Sequence, residues 1–177
     1  MSTRPGPWTG TYWVDPGRLL IGNHPGGSGR AATLERLGAL LGLGIRTFVS
    51  LMEEDPRGLE AYGEPLGRLA AEQGVVCECL RFPIEDCSVP TRAQMRRILA
   101  AIDQSLARGH AVYAHCWGGR GRAGILAGVW LIRSGAATPA SVLDEIGRLR
   151  GRDPREYPSP ETAEQQAFVR SFRDSPS

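Results

Sequence analysis

The sequence predicts an α/β fold: a single domain in which a central, mostly parallel sheet is flanked by helices and an anion-binding loop joins one strand to the helix after it. Three observations carry this. Short apolar, β-branched runs alternate with longer stretches whose apolar positions recur at helical spacing, the order that builds a parallel sheet with covering helices. The segment His115-Cys116-Trp117-Gly118-Gly119-Arg120-Gly121-Arg122 links an apolar run ending at Ala114 to another beginning at Ile125. The length of 177 residues suffices for one domain, spanning 1–177, with a genuine core.

In chain order, strand-like runs cover residues 11–14 and 19–22, then a helix over 31–43 and a strand over 45–51. A helix over 59–73 and a strand over 75–82 follow. The helix over 91–108 is the clearest, with Met95, Ile98, Leu99, Ile102 and Leu106 on one face. A strand over 110–115 leads to the glycine-rich loop, and three helices, near 122–134, 139–150 and 160–172, complete the chain. Residues 154–160 read as the loop before the last helix. The ends, 1–7 and 173–177, are expected to fray.

Composition narrows the function. Hydrophobic residues make up 41% and charged ones 23%, as in ordinary globular proteins. The apolar runs are too short to span a bilayer, and the polar, proline-rich start lacks a signal-peptide pattern, so a cytoplasmic location is the default expectation. A net charge of +2 gives no ground for nucleic-acid binding. All 21 basic residues are arginine, which reads as codon usage rather than mechanism. No Cys or His pair has zinc-ligand spacing, so no metal or cofactor is expected, and a monomer is the expected state.

The loop carries the chemistry. A strand, a glycine-rich turn and a helix N-terminus turn successive backbone N–H groups inward, and the helix dipole adds positive potential there. Cys116 at the floor of that cradle is a candidate nucleophile. Arg122 at the helix start is a candidate bidentate clamp for phosphate oxygens. A free thiol is only about 3% thiolate at pH 7, so the amides, the dipole and Arg122 are what would favour the reactive form. Trp117, Gly118, Gly119, Arg120, Gly121 and Arg122 form the candidate phosphate-binding set, with His115 as a support that orients the loop. The bland alternative is a buried cysteine before a chance turn in a chain with 23 glycines.

The pattern His-Cys-x5-Arg resembles the cysteine-dependent protein tyrosine phosphatase superfamily, in its compact dual-specificity branch. Phe82-Pro83-Ile84-Glu85-Asp86-Cys87-Ser88-Val89-Pro90 is similar to that family's general-acid loop, and Asp86 precedes Cys116 by 30 residues. The resemblance implies that Asp86 protonates the leaving oxygen and then acts as base toward water, with Glu85 as the second choice. A solvated Glu-Asp pair before the helix beginning near Pro90-Thr91 is the plainer account. Residues 13–22 resemble the opening strand pair of such domains. Residues 160–166 resemble the start of their final helix, where Gln165 or Gln166 would position water or, more simply, face solvent.

One departure matters. The family usually has Ser or Thr after the arginine, and its hydroxyl assists departure of the cysteine sulfur. Here Ala123 occupies the position, which implies a slower second step or a phosphate-binding module with little turnover. The expected activity is hydrolysis of phosphate monoesters through a phosphocysteine. The expected partner is a phosphorylated protein or a small phosphate-ester substrate. Arg120 keeps phosphoinositides open as an alternative, since lipid-directed relatives often carry a basic residue there. Cys77 and Cys79 read as core packing on one sheet face. A regulatory Cys87–Cys116 disulfide stays open. The loop 52–57 either frames the substrate entrance or is a solvated turn, the simpler account. His24 and His110 carry no partner pattern.

Overall fold

The computed structural model describes residues 5–54 and 58–174. Five strands, β1 (Tyr12–Asp15), β2 (Leu19–Gly22), β3 (Ile45–Ser50), β4 (Glu78–Arg81) and β5 (Ala111–His115), form one sheet in the order β1-β2-β5-β3-β4. Only β1 and β2 run antiparallel; β2, β3, β4 and β5 are parallel to their neighbours. Strand β5 is the middle strand and is buried throughout. Its side chains alternate between two cores, as a period of two demands. Val112 and Ala114 join the cluster under α3 (Arg92–Ala107), α4 (Arg122–Arg133), α5 (Val142–Arg150) and α6 (Ala163–Ser171). Ala111 and Tyr113 join the cluster under α1 (Arg30–Gly42) and α2 (Gly63–Glu72). The expected α/β class and largely parallel sheet are what forms.

Several boundaries differ for physical reasons. The second helix begins at Gly63 rather than 59, because Gly58 takes a left-handed φ of 82° and Tyr62 turns into the core. Strand β4 covers only 78–81, and Val76 is 84% exposed. As the outermost strand it pairs with β3 alone, so the core packing expected of the cysteines beside it fails. Cys79 is exposed and Cys77 only half-buried against the edge of the cluster under α1 and α2.

The ends are more ordered than expected where they are described. Pro5 bridges Tyr12, and the Gly6 amide donates to the Thr11 carbonyl at 3.1 Å. At the other end Phe172 is buried and Asp174 pairs with Arg133 at 2.8 Å. Residues 1–4, 55–57 and 175–177 lie outside the described residues. Among the described residues no helix is long and apolar enough to cross a membrane.

Candidate active site

The carboxyl ends of the four parallel strands meet at Cys116, as expected for ligand sites of parallel sheets. Cys116 follows β5 directly and is 3% exposed. From β3, the Leu51 amide donates to the His115 carbonyl at 2.9 Å. From the end of β2, the His24 amide donates to the Trp117 carbonyl at 2.9 Å. From β4, the Ile84 amide reaches the Leu51 carbonyl at 3.2 Å and starts the segment bearing Asp86.

The loop itself is shaped by close backbone contact. Gly119 has φ +69°, and a Cβ there would lie 2.6 Å from the Gly22 carbonyl carbon and 2.8 Å from the Asn23 nitrogen. Only glycine fits such a position. The loop carbonyls are held from outside, Trp117 by His24 and Arg120 by the buried Ser159 hydroxyl at 2.8 Å. Among the described residues, none of the amides from Trp117 to Arg122 donates to a protein acceptor. Six successive donors at the N-terminus of α4, close to a buried thiol, make an anion cradle.

His115 is fully buried and sits in a ring cluster with His24, Tyr62 and Tyr113. Its Nδ1 lies 3.2 Å from the Cys116 carbonyl, which can only accept, so Nδ1 donates. Nε2 shares a hydrogen bond with the Tyr62 hydroxyl at 2.9 Å. These bonds fix the ring beside Cys116. His24, given no role from the sequence, packs beside it and takes the Gly26 amide on Nδ1 at 3.1 Å. An isolated histidine in a Gly-rich stretch carries no spacing signal, so nothing in the sequence marked it. The structure gives His110 no place in this cluster.

Arg122 is 5% exposed. It donates through Nη1 to the Ile84 carbonyl at 3.1 Å and pairs through Nη2 with Asp86 at 2.9 Å. Its Nε has no partner among the described residues. The arginine therefore joins the Asp86 segment to the loop. Asp86 is 73% exposed on its side chain, so the pair adds little stability by itself. Asp86 and Cys87 are the central residues of a turn closed by the Ser88 amide on the Glu85 carbonyl at 3.1 Å. Cys87 has φ 59°, where glycine is usual, and strain of this kind gathers at working loops. Cys87 and Cys116 are both thiols, with Cys87 exposed. Glu85 is also exposed and makes no ion pair with Arg122.

Two expectations need correction. Arg120 does not present its guanidinium to the cradle: Nε donates to the Pro158 carbonyl at 2.9 Å, and the group lies 3.4 Å from Glu161 and over the Tyr157 ring. The segment 157–161 offers a carbonyl, a carboxylate and a ring together, which outcompete solvent. Its amide remains in the loop. Gln165 is not on a solvated face but fully buried. Its Oε1 accepts from the Glu161 and Thr162 amides at 3.0 and 3.2 Å, and its Nε2 donates to the Ser88 carbonyl at 3.0 Å. A capping box with Thr162 fixes it there, and a Cβ on Gly121 would stand 3.2 Å away. The amide thus couples the Asp86 segment, the loop and α6. Gln166 is half-buried and donates to the Pro160 carbonyl at 3.0 Å.

Met52, Glu53 and Glu54 line a hollow of about 300 Å³ with Arg122, so this segment frames the mouth; 55–57 of the same loop lie outside the described residues. Trp117 is 60% exposed. Ala123 is fully buried in the core under α4. Among the described residues no cluster of His, Cys, Asp and Glu has the makings of a metal site.

The family model described as "PTP-SAK: Swiss Army Knife protein, DSP-PTPase phosphatase domain" matches residues 9–177. Similar solved structures include Tk-PTP in the active form, at a TM-score of 0.71 and 24% identity over 93% of this chain and 97% of that one. PTPMT1 in complex with PI(5)P gives 0.68 and 22% over 92% and 93%. The core catalytic domain of the PP-IP phosphatase SIW14 from S. cerevisiae, in complex with citrate, gives 0.65 and 16% over 98% and 90%. At these identities the structures share the fold.

Replacing Gln165 with leucine, similar in size, strands two amides and one carbonyl in a buried place. Urea unfolding should show a loss of about 1–3 kcal/mol. A loss below about 0.5 kcal/mol would mean that the buried amide is not the tie described.

Proposed function

The chain belongs to the PTP-SAK family of DSP-PTPase phosphatase domains, and from that membership we propose that it hydrolyses phosphate monoesters through a phosphocysteine, as a protein tyrosine or dual-specificity phosphatase. The observation that carries this is the set of undonated amides from Trp117 to Arg122 around Cys116, with the Arg122 Nε also unpartnered. Such a cradle fits the equatorial oxygens of a phosphoryl group, and positioning with fixed dipoles supplies most of the catalysis.

Cys116 Sγ attacks phosphorus while the ester oxygen leaves with a proton from Asp86. Water then attacks the phosphocysteine, Asp86 takes its proton, and the thiolate departs as inorganic phosphate is released. In the structure Asp86 is the counter-ion of Arg122. A phosphate dianion entering the loop competes for the same guanidinium, and the displaced carboxylate takes up a proton from solvent, which it then gives to the leaving oxygen. Binding and acid catalysis are linked through one arginine.

For the substrate, the mouth favours a phosphorylated protein side chain. Glu53 and Glu54 place acidic groups at its rim, and Arg120 is engaged elsewhere. Both features disfavour a polyanionic lipid headgroup at this entrance. PTPMT1, solved with PI(5)P, and SIW14, a PP-IP phosphatase, keep phosphoinositide and inositol pyrophosphate substrates as the alternative.

The deciding experiment is hydrolysis of p-nitrophenyl phosphate at pH 5.5 with EDTA. Wild type should turn over, and Cys116→Ser should fall by at least about a thousandfold. EDTA-sensitive activity, or activity that survives the substitution, would sink the proposal. Asp86→Asn should slow alkyl phosphates about 10²–10⁴-fold and p-nitrophenyl phosphate much less, because nitrophenolate leaves without a proton. An equal effect on both would point to Glu85 as the acid. Ala123→Ser adds a hydroxyl next to Arg122 and should raise steady-state turnover about ten- to a hundredfold while shrinking a p-nitrophenol burst. An unchanged burst and rate would show that sulfur departure does not limit this enzyme.

A further inference from the structure

A second cleft, of about 590 Å³, opens between the N-terminal segment and the end of α5 and shares no lining residue with the hollow at Arg122. Trp8 and Tyr12 line one part, and Arg148, Arg150, Arg152 and Tyr157 another. The balance of charge there is unusual. Glu145 holds Arg148 through contacts of 2.8 and 2.5 Å, and Arg155 holds Asp153. Arg150 and Arg152 have no carboxylate partner among the described residues. Arg150 is half-buried and, among the described residues, donates only to the Tyr157 carbonyl, at 3.3 Å. Arg152 lies over the Tyr157 ring at 5.7 Å, and Arg120 lies over the same ring at 5.5 Å.

Two guanidinium groups, of Arg120 and Arg152, thus lie over the Tyr157 ring and a third, of Arg150, takes the carbonyl of the same residue, with one carboxylate, Glu161, at 3.4 Å from Arg120. Burial depresses the proton affinity of Arg150, and the Arg120 and Arg152 cations depress it further, against the opposing pull of Tyr12. Partly desolvated cations without counter-ions are costly. A favourable helix dipole accounts for a cation in the last turn of α5, but not for Arg152 beyond it or for the burial of Arg150.

We propose that this cleft is an anion-binding site for a phosphate-bearing group, separate from the phosphate loop and joined to it through Tyr157 and Arg120. Two planar guanidinium forks without a carboxylate partner among the described residues suit phosphate oxygens. The volume admits more than a lone ion, and Trp8 and Tyr12 add apolar wall. The group is either a second phosphate on the substrate or a free phosphorylated metabolite. The binding claim stands on the arginine cluster and does not require the hydrolytic reading.

Calorimetric titration of the intact protein with pyrophosphate tests it, using wild type, Arg150→Gln and Arg152→Gln. Wild type should take up an equivalent that each variant binds about ten- to a hundredfold more weakly. The same stoichiometry and affinity in all three would overturn the proposal. Arg152 is exposed, so its variant carries the test even if Arg150→Gln fails to fold. The source is read from kinetics. If the anion belongs to the substrate, both variants lose about tenfold in kcat/KM on a doubly phosphorylated peptide and nothing on p-nitrophenyl phosphate. If it is free, pyrophosphate alters p-nitrophenyl phosphate turnover in wild type beyond simple competition, and this extra effect vanishes in the variants.

Discussion

Keeping a row of backbone donors undonated inside a folded chain is the constraint on which this architecture depends. Buried N–H groups normally find partners, and leaving several without one is costly. The loop from Trp117 to Arg122 bears that cost because its conformation is fixed from outside. Two of its carbonyls are taken by the His24 amide and the Ser159 hydroxyl, and Gly119 is pressed against the backbone of Gly22 and Asn23. The antiparallel β1–β2 pair therefore has a function beyond sheet extension, since it delivers the wall that shapes the loop. The burial of β5 on both faces supplies the rigid base from which the loop springs.

Much of this was legible in the sequence because it is written in local signals. Period and punctuation placed the eleven elements, with the largest shift at the start of α2, which begins at 63 rather than 59. The spacing from Cys116 to Arg122 and the Pro83–Pro90 pattern located the two loops that the strand ends bring together. What was not legible depends on distant partners. Gln165 looks polar and solvated until Ser88 and the Glu161 amide arrive from elsewhere in the fold. Arg120 looks like a contact for substrate until Pro158 and Tyr157 claim it. Cys79 looks like core until β4 turns out to be an edge strand. His24 belongs to the same group, because a ring cluster assembled from three segments has no sequence period.

Three side chains share a consequence. Gln165, Arg120 and Ser159 all tie the phosphate loop or the Asp86 segment to residues 157–165, a stretch that in sequence is only a connection before the last helix. Loop, acid segment and α6 are therefore one mechanical unit. Movement of the Asp86 turn must strain the Gln165 amide, and movement of Tyr157 must be felt by Arg120.

That unit also clarifies what Ala123 does and does not change. The side chain after Arg122 is buried in the core cluster that also holds Cys116, and Ala123 takes part in none of the side-chain bonds that tie the loop to residues 157–165. Capture of phosphate by the amides and Arg122 uses groups that Ala123 does not touch. Departure of the thiolate is the step in which a hydroxyl at that position would bear directly on the sulfur. A defect confined to the second half of the reaction is therefore compatible with a fully built first half. The undonated amides, Arg122 and Asp86 stand together beside Cys116, an arrangement that supports the hydrolytic proposal over a binding role alone.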